Sequence, residues 1–318
     1  MLSEEVSKAA RVSHGNNSKF DYLPPEQTFL DPLREDVDRP EAARAVVIPF
    51  GLEASVSYGR GTAKGPAAIL AASHQLELFD EELSREPYKD YGIAALREAT
   101  IASPIEMALN QLSGIVDTVL NERRFPFVIG GEHSLTPGAV NPFARRYKDL
   151  VVLQLDAHAD LRDGYLGEKY SHAAAMRRVL DHPHVSLVSV GIRSISAAEV
   201  DYLGRNRQRI HMHWGYQQAA WDIEKIVAPL SGKPVYVTFD IDALDAAVMP
   251  ATGTPVPGGI SYLLALEILK RASEVGTIVG GDLVELAPTA GLHACDYTAA
   301  ALVYKMLSYA LSGTTPHG

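Results

Sequence analysis

The chain has 318 residues, of which 47% are hydrophobic and 21% charged, and its formal net charge at pH 7 is -10. This composition is typical of a globular protein with a sizeable core, and the acidic balance argues against a nucleic-acid or anionic-membrane partner. The sequence contains one cysteine, Cys295, so an intrachain disulfide and a thiolate metal cluster are both excluded. This suits a protein of a reducing compartment.

The start of the chain shows no charged segment followed by an apolar one, which is the pattern of a secretion signal. No apolar run approaches the roughly 18 residues that a membrane-spanning helix needs. We therefore expect a cytoplasmic protein with no membrane association.

Residues 1–40 are polar and include prolines, so we expect an N-terminal arm there. From Ala45 onward, short apolar runs alternate with segments of helical spacing, of which 104–121 and 261–274 are examples. Alternating strands and helices predict a parallel sheet covered on both faces. We expect 41–318 to form one domain, since no linker or repeat divides it. The apolar runs are AVVIPF (45–50), PFVIG (126–130), LVVLQLD (150–156), VSLVSVG (185–191), PVYVTFD (234–240) and TIVGGDLVEL (277–286).

Metal-capable side chains follow several of these runs. In open parallel α/β sheets, ligands bind outside the carboxyl ends of the strands. Side chains alternate in an extended segment, so residues two apart share one face. The side chains with this spacing are Asp156, His158 and Asp160 after one run and Asp240 and Asp242 at the end of another, while His133 follows a Gly-Gly turn.

Four carboxylates at one point cannot all stay charged without cations, because repulsion and desolvation would neutralise some of them. Two divalent cations would balance the four charges, and His133 would add an imidazole ligand. Oxygen and nitrogen ligands without thiolate suit Mn²⁺, with Mg²⁺, Co²⁺, Ni²⁺ and Zn²⁺ left open. Because two metals that share carboxylates can activate water at neutral pH, the pattern predicts a hydrolytic centre.

Three motifs resemble those of the ureohydrolase family of arginases and agmatinases. GGEHS (130–134), DAHAD (156–160) and TFDIDALDAAVMPATGTPVPGG (238–259) stand in the family's order and spacing. The resemblance extends from about Ile48, through SYGRGTAKGPAAIL (57–70), to Glu285 and beyond. It implies a three-layer α/β/α fold with a mostly parallel sheet of about eight strands. It also implies hydrolysis of a small cationic guanidine to urea with two Mn²⁺ per subunit, and assembly as a homo-oligomer, either a trimer or a hexamer.

The resemblance assigns roles by position. Glu285 matches the family's carboxylate that pairs with the substrate guanidinium through charge-assisted hydrogen bonds. His172 matches the histidine that acts as an acid or proton shuttle, and Asp160 is the other candidate for protonating the leaving amine. One metal would be held by His133, Asp156, Asp160 and Asp240, and the other by Asp156, His158, Asp240 and Asp242.

The loop LRDGYLGEKYSHAA (161–174) resembles that of bacterial agmatinases rather than arginases. This implies agmatine as the substrate, with urea and putrescine as products, and a role in polyamine biosynthesis. Asp163 and Glu168 are candidates to bind the distal ammonium of agmatine. Guanidinobutyrate, guanidinopropionate, arginine and free guanidine remain open, since Ala246 and Ala251 depart from residues common among relatives.

Other interpretations fit less well. A deacetylase of the same fold needs one Zn²⁺, whereas ligands for two metals are present. A two-metal phosphatase calls for a cationic clamp, and Arg162 and Lys169 are the only cations nearby. An inactive partner subunit would be expected to have lost ligands or Glu285. Glu132 stands where an aspartate is common, but it is not a predicted ligand.

Overall fold

The computed structural model of the chain describes residues 19–312. Within this range, eight strands form one sheet in the order β2-β1-β3-β8-β7-β4-β5-β6, and every neighbouring pair is parallel. The strands are β1 (Ala45–Phe50), β2 (Ile93–Ala95), β3 (Phe125–Gly130), β4 (Val151–Leu155), β5 (Ser186–Ile192), β6 (Ile210–Trp214), β7 (Pro234–Asp240) and β8 (Thr277–Val284). The helices are α1 (Gly65–Ser73), α2 (Tyr88–Tyr91), α3 (Ile105–Asn121), α4 (Thr136–Arg146), α5 (Ala175–Val179), α6 (Ala197–Arg205), α7 (Ile223–Val227), α8 (Tyr262–Val275) and α9 (His293–Leu311). The predicted parallel α/β fold is confirmed.

Strand β1 shows how the sheet separates two hydrophobic cores. Ala45 and Val47 belong to one core cluster, to which α1, α8 and α9 also contribute. Val46 and Ile48 belong to a second cluster, which includes residues of α3, α4 and α5. Since successive side chains of a strand point to opposite faces, both faces of the sheet are buried and the fold has three layers.

The six predicted apolar runs match β1, β3, β4, β5, β7 and β8 to within two residues at each end. The two predicted helical segments match α3 and α8 in the same way. Strands β2 and β6 were not among the predicted runs. Both lie at edges of the sheet. There β2 is only 3 residues long and β6, IHMHW, is largely half-buried or exposed, so neither forms a continuous apolar run.

The N-terminal segment is described from residue 19 onward. Residues 19–43 contain one short 3-10 helix, Pro25–Gln27, and are otherwise irregular. Phe29 and Leu30 are fully buried, and Arg34 donates hydrogen bonds to the carbonyls of Phe29 (2.5 Å) and Ile93 (2.6 Å). This part of the predicted arm is therefore packed against the sheet. Residues 1–18 lie outside the described residues, and the division into an arm and one domain stays a prediction.

The centre of the sheet positions the site. Strands β3, β8, β7 and β4 lie side by side, so their carboxyl ends meet at one edge. The turn after β3 passes close to the loop that follows β1, because a Cβ at Gly131 would overlap the backbone of Leu52. Glycine is therefore required where the chain turns toward His133. Between residues 19 and 312, no helix is both long and apolar enough to cross a membrane.

Candidate metal centre

The predicted metal ligands come from the carboxyl ends of three central strands. His133 begins a 3-10 turn directly after β3, and Asp240 is the last residue of β7. Asp242 lies in the turn that follows β7, and the DAHAD segment directly follows β4. Strands β7 and β4 are neighbours in the sheet, so the two loops that carry aspartates meet.

The first cluster is built around His133. Its Nδ1 atom lies 3.1 Å from Asp156 Oδ2, 3.1 Å from Asp160 Oδ2 and 3.3 Å from Asp240 Oδ2. All four side chains are buried. The atoms of His133, Asp156 and Asp160 lie close enough together to hold one metal ion.

The second cluster shares Asp156 with the first. His158 Nδ1 lies 3.0 Å from Asp242 Oδ2 and 3.7 Å from Asp156 Oδ1. The ligand atoms of these three residues lie within 4.8 Å of one another. Asp156 is therefore common to the two clusters, while the predicted ligand sets, in which Asp156 and Asp240 are both shared, stay a prediction.

The hydrogen bonds of His133 test whether the first cluster fits a cation. Its Nε2 lies 2.9 Å from Thr238 Oγ1, and the Thr238 hydroxyl donates its one proton to Asp282 Oδ1 at 2.6 Å. Thr238 must then accept from Nε2–H, so Nδ1 is the nitrogen left to bind. Within the described chain, Nδ1 is buried without a hydrogen-bond partner and faces three carboxylate oxygens. A cation bound at Nδ1 would satisfy the nitrogen and the three oxygens together, so these residues fit a metal ion.

The charges of the two clusters also fit bound cations. Burial, followed by the charges of Asp160 and Asp242, raises the pKa of Asp156 to about 7. Burial, followed by the charges of Asp242 and Asp156, raises the pKa of Asp240 well above its usual value. Burial opposes charge on His158, but Asp242 and Asp156 outweigh it and raise the pKa of this imidazole to about 10. Burial and neighbouring negative charge therefore make Asp156 and Asp240 bind protons more readily than free carboxyl groups do, and divalent cations would replace those protons.

Backbone and side-chain donors hold the carboxylates in place. Asp156 Oδ1 accepts from His158 N at 2.6 Å, and its Oδ2 accepts from Gln154 Nε2 at 2.8 Å. Asp240 Oδ1 accepts from Asp242 N at 2.9 Å, and Asp242 Oδ1 accepts from Ala157 N at 3.0 Å. These bonds fix the orientation of each carboxyl group before a metal binds, which lowers the entropy cost of binding.

A cavity of about 180 Å³ adjoins the clusters and is lined by His172 and Glu285 among others. Glu285 Oε1 accepts from His133 N at 2.6 Å. Burial, followed by the charge of Glu132, raises the pKa of Glu285 well above its usual value. Asp160 and Glu285 have φ angles of 52° and 67°, in the left-handed region that non-glycine residues rarely adopt. Strained backbone of this kind concentrates at functional sites.

Asp163 and Glu168, the candidates to bind the distal end of a substrate, have protein partners in the structure. Asp163 is exposed, and its carboxylate pairs with Arg178 at 2.8 Å and Arg177 at 3.6 Å. The Arg178 hydrogen bond lowers the pKa of Asp163. Glu168 accepts from the backbone of Tyr170 at 2.8 Å, and neither acidic residue lines the cavity. In this structure other residues engage both carboxylates, and their role at the distal end of a substrate stays a prediction.

Several residues of the site were given no role in it by the sequence prediction. Thr238 precedes Asp240 by two residues in β7, so the same spacing rule that found the aspartates could have found it. Asp282 is buried within β8 and is held by Thr136, Tyr236 and Thr238. Arg162 lines the cavity, 5.0 Å above the Tyr165 ring. No sequence pattern indicates these long-range neighbours.

Comparisons with known proteins agree with this geometry. A family model described as the arginase family matches residues 43–308. An N(1)-aminopropylagmatine ureohydrolase from Synechocystis is 35% identical over 277 residues, which cover 84% of this chain and 89% of that protein. An agmatinase from Bacillus cereus is 34% identical over 78% of this chain and 85% of that protein. The solved structure of an agmatine ureohydrolase from Thermoplasma volcanium has a TM-score of 0.76 at 28% identity, covering 85% of this chain and 90% of that one.

Proposed function

This chain belongs to the arginase family and is a ureohydrolase, and from that premise we propose that it hydrolyses agmatine to urea and putrescine. The observation that carries the proposal is the convergence of two metal-capable clusters, Glu285 and His172 on one cavity. The cavity wall includes Asp160, Asp240 and Asp242, so a cationic substrate is favoured there. The agmatinases among the relatives support agmatine as that cation.

The same residues define the proposed metal sites. Oxygen and nitrogen ligands without thiolate favour Mn²⁺, and the four aspartates balance two such ions. When bound, the two ions would supply an activated water and stabilise charge in the transition state. We propose that one ion is held by His133, Asp156, Asp160 and Asp240, and the other by Asp156, His158, Asp240 and Asp242, with Asp156 and Asp240 shared.

Glu285 is proposed to hold the guanidinium. The His133 backbone N–H fixes Oε1 of this carboxylate beside both clusters. A guanidinium cation would supply the positive charge that favours the ionised form of Glu285, whose pKa is raised by burial and by the charge of Glu132. The planar cation can donate two hydrogen bonds to a carboxylate, so its carbon would be fixed next to the metal ligands. His172 lines the same cavity and is proposed to protonate the leaving amine, with Asp160 as the alternative proton donor.

N(1)-Aminopropylagmatine is a second candidate substrate. A relative at 35% identity carries the name of an enzyme for this compound. It presents the same guanidinium on a longer cationic chain, so the metal clusters and Glu285 would act on it in the same way. The two substrates differ at the distal end, away from the guanidinium.

The proposal is tested by urea release from purified, Mn²⁺-loaded protein. The panel comprises agmatine, N(1)-aminopropylagmatine, arginine, guanidinobutyrate, guanidinopropionate and guanidine. We expect the highest kcat/KM with agmatine. If another guanidine is clearly preferred, that compound takes the place of agmatine as the proposed substrate. If protein with two metals bound releases no urea from any compound, the proposal is overturned.

A matched variant tests the role of Glu285. Glu285→Gln keeps the size and loses the charge, so a buried guanidinium would have no counter-ion. Removing one partner of a buried, hydrogen-bonded charge pair costs about 2–5 kcal/mol, so we expect kcat/KM to fall by roughly 30-fold or more. The metal content should be unchanged, because Glu285 is not a proposed ligand.

A homo-oligomeric state and a cytoplasmic location remain predictions.

A further inference from the structure

Ser55 connects a buried carboxylate to the cavity histidine. Its hydroxyl donates to Glu132 Oε1 at 2.8 Å and lies 3.1 Å from His172 Nδ1. The same oxygen accepts from the His172 backbone N–H at 2.9 Å. Ser55 and His172 are 117 residues apart, and the loop that follows β1 brings them together.

Glu132 is fully buried and held by uncharged donors. It accepts from Ala54 N at 2.8 Å, Ser55 N at 2.7 Å and Ser134 Oγ at 2.5 Å, besides the Ser55 hydroxyl. Four donors therefore converge on its two oxygens, so this group acts only as an acceptor. A buried carboxylate with this many fixed donors locks the position of the loop at 54–55.

Counting protons assigns the direction of each bond. The Ser55 hydroxyl has one proton and two candidate acceptors, Glu132 Oε1 and His172 Nδ1. Hydrogen bonds to a charged acceptor are roughly twice as strong as neutral ones, so the proton goes to Glu132. The Ser55 oxygen is then an acceptor toward His172, and Nδ1 must carry a proton. In neutral His172, Nε2 is the nitrogen with a free lone pair.

We propose that Glu132 and Ser55 are positioning residues that fix His172 as the Nδ1–H tautomer, with Nε2 as the atom that carries the transferred proton. This inference rests on the proposed function, because it concerns the proton that the leaving amine needs. His133 is held by the same kind of relay, in which Asp282 and the Thr238 hydroxyl fix Nε2–H. The two histidines therefore present opposite nitrogens to the site.

The proton balance of the step is complete. The water that adds to the guanidinium carbon gives one proton to His172 Nε2. When the bond from carbon to the leaving nitrogen breaks, its electron pair stays on nitrogen, and Nε2–H gives the proton to that nitrogen. The carbon fragment is then protonated urea, which gives its hydroxyl proton to the released amine, so that urea and the ammonium form of the amine leave. His172 returns to its neutral Nδ1–H form, which Ser55 and Glu132 hold for the next turnover.

The test compares leaving groups of different basicity. Ser55→Ala removes the acceptor for Nδ1–H, together with the acceptor for the His172 backbone N–H, and keeps the His172 side chain itself. A positioned general acid contributes about 10²–10⁴-fold to the rate, and a misplaced proton should remove part of that contribution. We therefore expect kcat on the alkylguanidine substrate to fall by about 10–100-fold and KM to change by less than about twofold. A guanidinooxy analogue releases a weakly basic alkoxyamine that depends less on protonation. On it, we expect a loss of less than about threefold.

Four further variants, three single and one double, separate positioning from general damage. His172→Asn should also lose more kcat on the alkylguanidine than on the guanidinooxy analogue. The double variant with Ser55→Ala and His172→Asn should lose no more kcat than His172→Asn alone. Ser55→Thr keeps a hydroxyl and should restore most of the activity. Ser134→Ala removes a different hydroxyl from Glu132 and should change kcat by less than about threefold on both substrates. All variants should keep the wild-type metal content.

Two results would overturn the inference while leaving the ureohydrolase function intact. One is an equal loss for Ser55→Ala on both leaving groups, and the other is a loss that adds to that of His172→Asn. A readout independent of activity is the solid-state ¹⁵N spectrum of histidine-labelled, Zn²⁺-loaded protein, with the His172 signals identified by difference from His172→Asn. An Nε2–H tautomer of His172 would refute the proposal even if no guanidine is hydrolysed.

Discussion

Thr238→Val is a sharp test of the metal centre, because it removes one hydroxyl from a buried relay and preserves the side-chain shape. The hydroxyl accepts from His133 Nε2 at 2.9 Å and donates to Asp282 at 2.6 Å. Without it, Nε2–H has no acceptor, and the imidazole gains by moving its proton to Nδ1. Nδ1 would then no longer be able to bind a metal.

The expected effect on metal binding follows from this geometry. Loss of a partner that orients a ligating histidine weakens metal binding by roughly 10–100-fold, which is about 1.4–2.7 kcal/mol. The assay is a titration of metal-free protein with Mn²⁺ in competition with a chelator. In the wild type, we expect the titration to resolve the weaker of the two Mn²⁺-binding steps. In the variant, we expect a lower Mn²⁺ affinity for the step that involves His133.

A control variant separates the effect on His133 from the effect on Asp282. Tyr236→Phe also removes one donor from Asp282, at 2.8 Å, and within residues 19–312 the Tyr236 hydroxyl forms no hydrogen bond with His133. Each variant leaves a buried carboxylate one donor short, which costs about 1–3 kcal/mol of stability. If Thr238→Val binds Mn²⁺ as tightly as wild type, or if Tyr236→Phe weakens binding equally, the relay to His133 is refuted.

Two further predictions concern the second metal and acid stability. Asp242→Asn should lower the bound metal measured by elemental analysis toward one ion per chain, because Asp242 belongs only to the cluster of His158; two ions retained at wild-type affinity would contradict it. Burial opposes ionisation of Glu82, but Lys270 and Tyr309 outweigh it and lower its pKa from 4.5 to about 2. The lowered value stabilises the fold above about pH 4.5, and the gain is lost as the pH falls through about 2. After discounting for partial exposure, Glu82→Gln should cost about 1 kcal/mol at pH 7 in urea denaturation and less at pH 3, and an equal cost at both would contradict the pKa assignment.

Much of the site was predictable from the sequence because it depends on local spacing. An apolar run followed by Asp156, His158 and Asp160 indicates a central strand with ligands on one face of the following segment. The pair at Asp240 and Asp242 repeats this pattern, and parallel strands bring such ends to the same edge of the sheet. Residues two apart on a strand share a face in any fold, so these predictions needed no tertiary information.

The edge strands were missed for a local reason as well. Strand β6, IHMHW, alternates polar and apolar residues, and β2 has only 3 residues. An edge strand has one neighbour in the sheet and is not buried as deeply, so selection for a continuous apolar run is weaker there. Apolar runs therefore revealed only the buried strands.

Only the tertiary structure decided which hydroxyl groups lie beside His133 and His172 and which carboxylates those hydroxyls contact. In the relay from Glu132 to His172, the contact between Ser55 and His172 joins residues 117 apart in the chain. In the relay from Asp282 to His133, the contact between Thr238 and His133 joins residues 105 apart. Asp163 was predicted at the substrate, and in the structure it is paired with Arg178. A side chain's hydrogen-bond partner depends on distances of a few tenths of an ångström between segments that are remote in the chain. The sequence specifies those distances only through the packing of the whole fold.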